Sequence, residues 1–163
     1  MKRAPALIPL SREHNTAMIL AREACRAAAN RDSMRIRRAW QRLSHAWHTE
    51  MAQHFQAEEA VLFPILRASG AHRLVQRLVR EHAAMRRVLN QPNLQDTVRL
   101  HALGRVLTEH VRREEREAFP LLQSQLDPQT LRRTGRDIAR IMDHELPPCN
   151  SKVAKGSSSL SQA

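Results

Sequence analysis

Residues 54–66 read HFQAEEAVLFPIL, and residues 110–122 read HVRREEREAFPLL. Both fit H-x-x-x-E-E-x-x-x-F-P-x-L, displaced by 56 positions (110 − 54). At about 100° per residue, a histidine and a glutamate four apart differ by only ~40° and stack on one helix face. Each copy then meets Phe-Pro, at Phe63-Pro64 and Phe119-Pro120. Pro64 should weaken the turn around Ala60 and bend the helix there. One H-x-x-x-E is expected about 0.6 times by chance in a chain of this composition. The duplicated thirteen-residue pattern is far more specific.

The repeat extends upstream of each copy. Arg12-Glu13-His14 precedes the first and Arg80-Glu81-His82 the second. The chain therefore reads as two units, each a His-bearing helix followed by an H-x-x-x-E helix. Apolar spacing places a first helix over roughly 10–29, with Ser11 as a candidate N-cap. A second runs from Asp32-Ser33 to about Ala68 and is closed by Gly70. A third covers about 71–89 and stops at the turn-like stretch 90–95. Asp96 caps a fourth that reaches about Leu126. Asp127-Pro128, a cap residue followed by an N1 proline, opens a fifth to about Leu146.

Four long helices with short connections predict an all-α antiparallel up-down four-helix bundle with an additional C-terminal helix. The domain is expected over 1–146, with its core at 10–126 and the extra helix at about 128–146. The Ser-rich tail, 147–163, is expected to be disordered.

Composition agrees with a helical reading. Only 4 residues are glycine and aromatics make up 3%, with no Tyr, so the core must be mostly aliphatic. The net charge of +11 attracts phosphates, anionic lipid or acidic proteins, but specifies no reaction. Cys25 and Cys149 lie far apart with no C-x-x-C pair, which points to a reducing compartment and not to a disulfide framework. The start MKRAPALIPL is basic, but its apolar run is short and broken by Pro5 and Pro9. It is not read as a signal peptide, and no stretch is long enough to span a membrane. A cytoplasmic protein is expected.

Helical spacing also says which way the repeated residues face. Stepping back from His54 meets Met51, Trp47, Leu43 and Trp40; forward from Glu58 come Val61, Leu62 and Ile65. His110 lines up with Leu107, Leu103 and Leu100, His14 with Ala17 and Ala21, and His82 with Leu78, Val79 and Met85. Four histidines, Glu58 and Glu114 thus fall on the stripes that face the bundle interior. In an aliphatic core that set is strongly destabilising unless something compensates.

A metal centre resolves the conflict. Six inward N and O donors suit iron or manganese, and no inward thiolate cluster argues for structural zinc. Four His supply four bonds, two bridging carboxylates four more, and a bridging oxide or hydroxide two. About ten of the twelve positions around two octahedral ions are then filled, leaving about two for O₂, NO or peroxide.

These residues resemble the hemerythrin-like (HHE) family, whose signature is H…H-x-x-x-E…H…H-x-x-x-E on four antiparallel helices. Here it is His14, His54 with Glu58, His82, and His110 with Glu114, within about 10–126. The resemblance implies two non-haem irons, oxo- or hydroxo-bridged, with Glu58 and Glu114 as bridges and the four histidines as terminal ligands. Manganese is the second choice. Oxygen-carrying members have a fifth histidine one turn from the third-helix ligand, where this chain has Leu78 and Arg86. They also place the second bridge five residues after its His. Here Glu114, at four, is preferred to Glu115 because it stacks under His110 and matches Glu58. The four-His, two-Glu set is similar to the repair-of-iron-centres branch, which acts in recovery from nitrosative and oxidative stress. The N-terminal cysteine-bearing domain usual in that branch is not expected here.

The other polar residues read more plainly. His45, His48, His72, His101 and His144 miss the inward stripes and are expected at surface or boundary positions. Glu59 and Glu115 point ~100° away from their neighbours and are expected to be solvated or paired with arginine. Trp40 and Trp47 read as core. Cys25 is three turns from His14, too far to ligate, and Cys149 reads as a free thiol. The runs Arg35-Ile36-Arg37-Arg38, Arg112-Arg113 and Arg132-Arg133 read as solvated faces; nucleic-acid binding is the sharper alternative, with no Tyr for stacking and no recognition motif.

The expected function is a di-iron protein that binds or senses O₂, NO or peroxide, in stress response or iron handling. A di-iron peroxidase, oxidase or NO-reducing enzyme comes second, since no general acid or base is legible beside the ligands. A metal-free basic bundle that binds nucleic acid or an acidic partner comes third.

Overall fold

The computed structural model describes residues 3–91 and 96–142. Helix accounts for nearly all of them, and no strand occurs among the described residues. A 3₁₀ turn, Pro5–Leu7, leads into α1 (Ile8–Asn30). A second rod follows as α2 (Ser33–Ala46), a π-turn at Trp47–Met51, α3 (Ala52–Ala57), a π-turn at Glu58–Leu62, and α4 (Phe63–Ala68). Next come α5 (His72–Leu89) and α6 (Thr97–Arg113), the latter continuing through a π-turn at Glu114–Ala118 into α7 (Phe119–Gln125). The last helix among the described residues is α8 (Pro128–Ile141).

Local chemistry sets most boundaries. Asp32, Asp96 and Asp127 each cap a helix, their carboxylates accepting from the backbone N–H groups two and three residues on. Pro128 takes the first position of α8, where a missing N–H costs nothing. Gly70, at φ +87, makes the left-handed turn between α4 and α5. Ser11 is not the cap of α1. That helix starts earlier, with Pro9 in its first turn and no side-chain cap, and the Ser11 hydroxyl donates to Glu115 at 2.7 Å. The expected stretches 143–146 and 147–163, His144, Cys149 and most of the 90–95 turn lie outside the described residues.

The π-turns settle the Phe-Pro question. In a continuous α-helix the Ala60 carbonyl would need an N–H that Pro64 does not have. The chain widens instead. The Phe63 N–H bonds back to the Glu58 carbonyl, and the Phe119 N–H to that of Glu114. Each proline then enters at the start of a fresh α segment, where its donor is not missed. Both wide turns begin at a repeated glutamate, and π-bulges are often found at functional positions.

Packing brings α1 most extensively against α6, then α2; α5 lies on α6 and α4; α8 lies on the Pro5–Leu7 turn and α3. The α1–α6 approach depends on Gly104. A Cβ there would sit 2.8 Å from both the Ala21 carbonyl oxygen and Cys25 Sγ.

The interior divides into two apolar clusters. One is built from α1, α2, α6 and the C-terminal part of α5, with Trp47 and Phe55. The other gathers Leu7, Leu10, Phe63, Phe119 and residues of α4, α5, α7 and α8. The repeated polar residues stand at the boundary on every rod. His14 separates Leu10 from Ala17, His82 separates Leu78 from Met85, Glu58 lies between Phe55 and Leu62, and Glu114 between Val111 and Ala118.

Candidate metal centre

The structure brings the six repeated side chains together. His14 comes from α1, His54 from α3, His82 from α5 and His110 from α6; Glu58 and Glu114 are the first residues of their π-turns. None is more than 4% exposed. They form two groups that share both carboxylates: His14, His54, Glu58 and Glu114, and Glu58, His82, His110 and Glu114. Within each group the donor atoms lie within 4.8 Å of one another.

All four imidazoles present Nε2 inward. The Nε2 atoms of His14 and His54 are 3.1 Å apart, as are those of His82 and His110. Glu58 spans the two groups, with Oε1 3.1 Å from His54 Nε2 and Oε2 3.4 Å from His82 Nε2. Glu114 Oε2 lies 3.1 Å from His14 Nε2 and 3.2 Å from His110 Nε2.

The outward nitrogens explain this orientation. His14 Nδ1 is 2.8 Å from Glu115, His54 Nδ1 2.7 Å from Glu13, His82 Nδ1 2.7 Å from Glu59, and His110 Nδ1 3.1 Å from Glu81. A carboxylate there accepts the Nδ1–H and leaves the Nε2 lone pair facing inward, which is the tautomer a metal requires. Arginines back Glu59, Glu81 and Glu115: Arg86 grips Glu59 at 2.7 and 3.0 Å, Arg113 pairs with Glu81, and Arg3 with Glu115.

The pairing follows the duplication. The Glu of each R-E-H triplet holds the next helix's histidine within its own unit, Glu13 to His54 and Glu81 to His110. The second Glu of each E-E pair crosses to the other unit, Glu59 to His82 and Glu115 to His14. Glu59 and Glu115 do pair with arginine as expected, but each also anchors a histidine. Partial burial would raise their carboxyls, yet the bonded histidine outweighs it, with Arg86 helping for Glu59 and Ser11 and Arg3 for Glu115, and both fall to about 2. Reading helix angle alone missed all four outer glutamates. Their duplication in R-E-H and E-E was the signal available.

The phenylalanines complete the enclosure. Phe119 stacks on His14, centroids 5.3 Å apart, and Phe63 on His82 at 5.4 Å. The Phe of each F-P step thus crosses to the same histidine as the outer Glu of its own copy. Phe55 lies flat on the other side of this pattern, 3.8 Å from His82 with its ring 4° from parallel.

The decisive feature is the inner carboxylates. All four oxygens of Glu58 and Glu114 are buried without a hydrogen-bond partner. Leaving a carboxylate so placed costs several kcal/mol per group. In the metal-free chain the Glu58 charge must be answered by the imidazoles. Burial resists this, but Glu58 and Glu13 together take His54 up to about 9, and Glu58 itself is held well below the usual carboxylate range. Cations satisfy the same atoms without charging any imidazole. Two nitrogens held at right angles by one ion at about 2.1 Å are separated by about 3 Å, close to the 3.1 Å found in both pairs. The residues therefore fit a two-cation centre of N and O donors.

The remaining candidates lie elsewhere. His45, His48, His72 and His101 are exposed. Trp40 and Trp47 belong to the core, Trp47 donating to Asn90 Oδ1 at 2.7 Å. Cys25 is a half-buried free thiol beside His101 and Gly104.

Residues 9–122 match the family model described as the hemerythrin HHE cation binding domain. No curated protein and no solved structure matches the chain.

Proposed function

The chain belongs to the hemerythrin HHE cation-binding family, and on that premise we propose that it holds two iron ions and uses them to bind or sense O₂, NO or peroxide. Glu58 and Glu114, shared by both groups, would hold the ions together with His14, His54, His82 and His110. The observation that carries this reading is the pair of fully buried carboxylates with no hydrogen-bond partner, faced by the Nε2 atoms of four histidines. The N/O donor set without thiolate favours iron, then manganese, over structural zinc. The contacts of α1 with α2 and α6, and of α5 with α4 and α6, support an antiparallel up-down arrangement of the four rods.

A bound iron pair supplies open coordination positions and redox chemistry; the chain's own residues decide what reaches it. Phe119 covers His14, and Phe55 and Phe63 cover His82. One side is more open. A cavity of about 20 Å³ is lined by His14, Ala17, His54, Val111 and, toward solvent, Glu13 and Glu50. At the corresponding places of the other unit stand Met85 for Ala17 and Phe55 for Val111. The smaller residues leave room beside His14 for roughly one water-sized or diatomic guest. That size supports the small-ligand reading.

Transport is not favoured. Arg86 occupies the position one turn past His82 and is committed to Glu59, so it supplies no fifth imidazole. A stress-response or iron-handling role in the cytoplasm is the reading we favour. No described helix is long and apolar enough to cross a membrane. A second reading, a peroxide-reducing or oxidase enzyme, draws on Glu13 and Glu50, which line the cavity where a proton could be delivered.

Metal analysis with optical spectra under O₂, NO and peroxide tests the proposal. About two irons per chain and spectra altered by at least one of the ligands are expected. A chain that folds normally and retains no metal would overturn it.

A further inference from the structure

The segment 22–42 carries seven arginines against two acids, a net +5 of the chain's +11. Four of those arginines, Arg26, Arg35, Arg38 and Arg42, line a cleft of about 340 Å³ between α1 and α2, with Glu23 at its edge. Its floor is Ala27 and Ala39, both buried and small. Arg35, Arg38 and Arg42 recur at i, i+3 and i+7, so three like charges share one stripe of α2, an arrangement that destabilises a helix unless an anion answers it.

The chain supplies only part of that answer. Glu23 pairs with Arg42, and Asp32 lies 3.2 Å from Arg35. Arg26 and Arg38 have no ion pair among the described residues. The N-terminus of α2 is not the attraction, because Asp32 already accepts from its first amides. The cleft starts about 14 Å along α1 from His14, clear of the metal centre.

We propose that this cleft binds a compact oligophosphate, either inorganic or the phosphate chain of a small phosphorylated molecule. Guanidinium forks match phosphate oxygens two at a time. The stripe from Arg35 to Arg42 spans about 10 Å, room for a chain of two or three phosphates facing Arg26. Nucleic acid fits less well. The tryptophans and phenylalanines are buried and there is no Tyr, so no base-stacking platform is offered, and a duplex backbone would bridge the slot and not enter it.

Calorimetric titration of the full chain with tripolyphosphate at physiological salt is the test. Arg26→Ala and Arg38→Ala should each weaken binding about tenfold, and Glu23→Gln, which frees Arg42, should strengthen it. Arg132→Ala and Arg133→Ala on α8 remove equal charge from another face and should change affinity by less than about twofold. Orthophosphate and a nucleoside triphosphate, run in parallel, separate chain length from the attached group. The proposal is overturned if the α8 variants lose as much as the cleft variants. It is equally overturned if a short DNA duplex binds more tightly than tripolyphosphate and ignores Arg26 and Arg38. All these arginines are exposed, so the variants should keep their helicity and metal content, and a failure here would leave the metal reading untouched.

Discussion

Each inward imidazole depends on a carboxylate at its outer nitrogen, and that carboxylate is never its own neighbour in sequence. His82 is held by Glu59 from α3–α4, and His110 by Glu81 from α5. Such partners typically change metal affinity 10–100-fold. Glu59→Gln and Glu81→Gln should therefore bind iron about 10–100-fold more weakly, read by competition with a chromogenic chelator. His82→Ala should lose most of its iron, whereas His101→Ala, at an exposed position, should keep it; equal retention in the two would remove His82 from the site. That the six inner residues would face one another was legible because duplication and helical spacing reinforce each other. The outer glutamates were not, because a side chain ~100° from the inward face meets solvent on an isolated helix but a neighbouring helix in a closed bundle. Only the third dimension distinguishes the two.

At the scale of elements, the caps were readable because an Asp cap is a local event, settled within three residues. The π-turns were not. Phe63-Pro64 marked a place where the α-ladder must fail, but bending and widening answer that failure equally well on paper. The wide turn has a consequence for the site, because it sets the register between Glu58 and Phe63. In Pro64→Ala the α-ladder can close, rotating Phe63 off His82. That variant should keep about the same stability when metal-free, since Pro64 stands in the first turn of α4 where its missing N–H costs little, yet bind metal several-fold more weakly. Unchanged metal affinity would detach the proline from the site. The π-turn at Trp47–Met51 has no proline and no sequence signal that explains it. Gly104 allows the α1–α6 approach that brings His14 toward His110, so Gly104→Ala forces a Cβ against the Ala21 carbonyl and should cost about 1–3 kcal/mol in denaturant unfolding.

For the whole molecule, the concentration of buried charge makes stability depend on pH in opposite senses with and without metal. In the metal-free chain, burial lowers the histidines' affinity for protons, but the glutamates outweigh it. His54 rises to about 9, and His14 and His82 shift the same way. A group raised above its unfolded value of about 6.5 contributes stability that is whole below that pH and fades as the pH climbs toward 9. Glu59 and Glu115, near 2 against an ordinary 4.5, contribute stability that is whole above 4.5 and lost as the pH falls toward 2. The metal-free protein should therefore be most stable between about pH 4.5 and 6.5. Cations remove the alkaline loss, because they take lone pairs only from neutral imidazoles and displace protons in doing so. Thermal melts from pH 6.5 to 9 should show Tm falling in chelator-treated protein and holding or rising in loaded protein. Parallel declines in both would mean that the inward imidazoles pair with Glu58 and Glu114 alone and hold no metal.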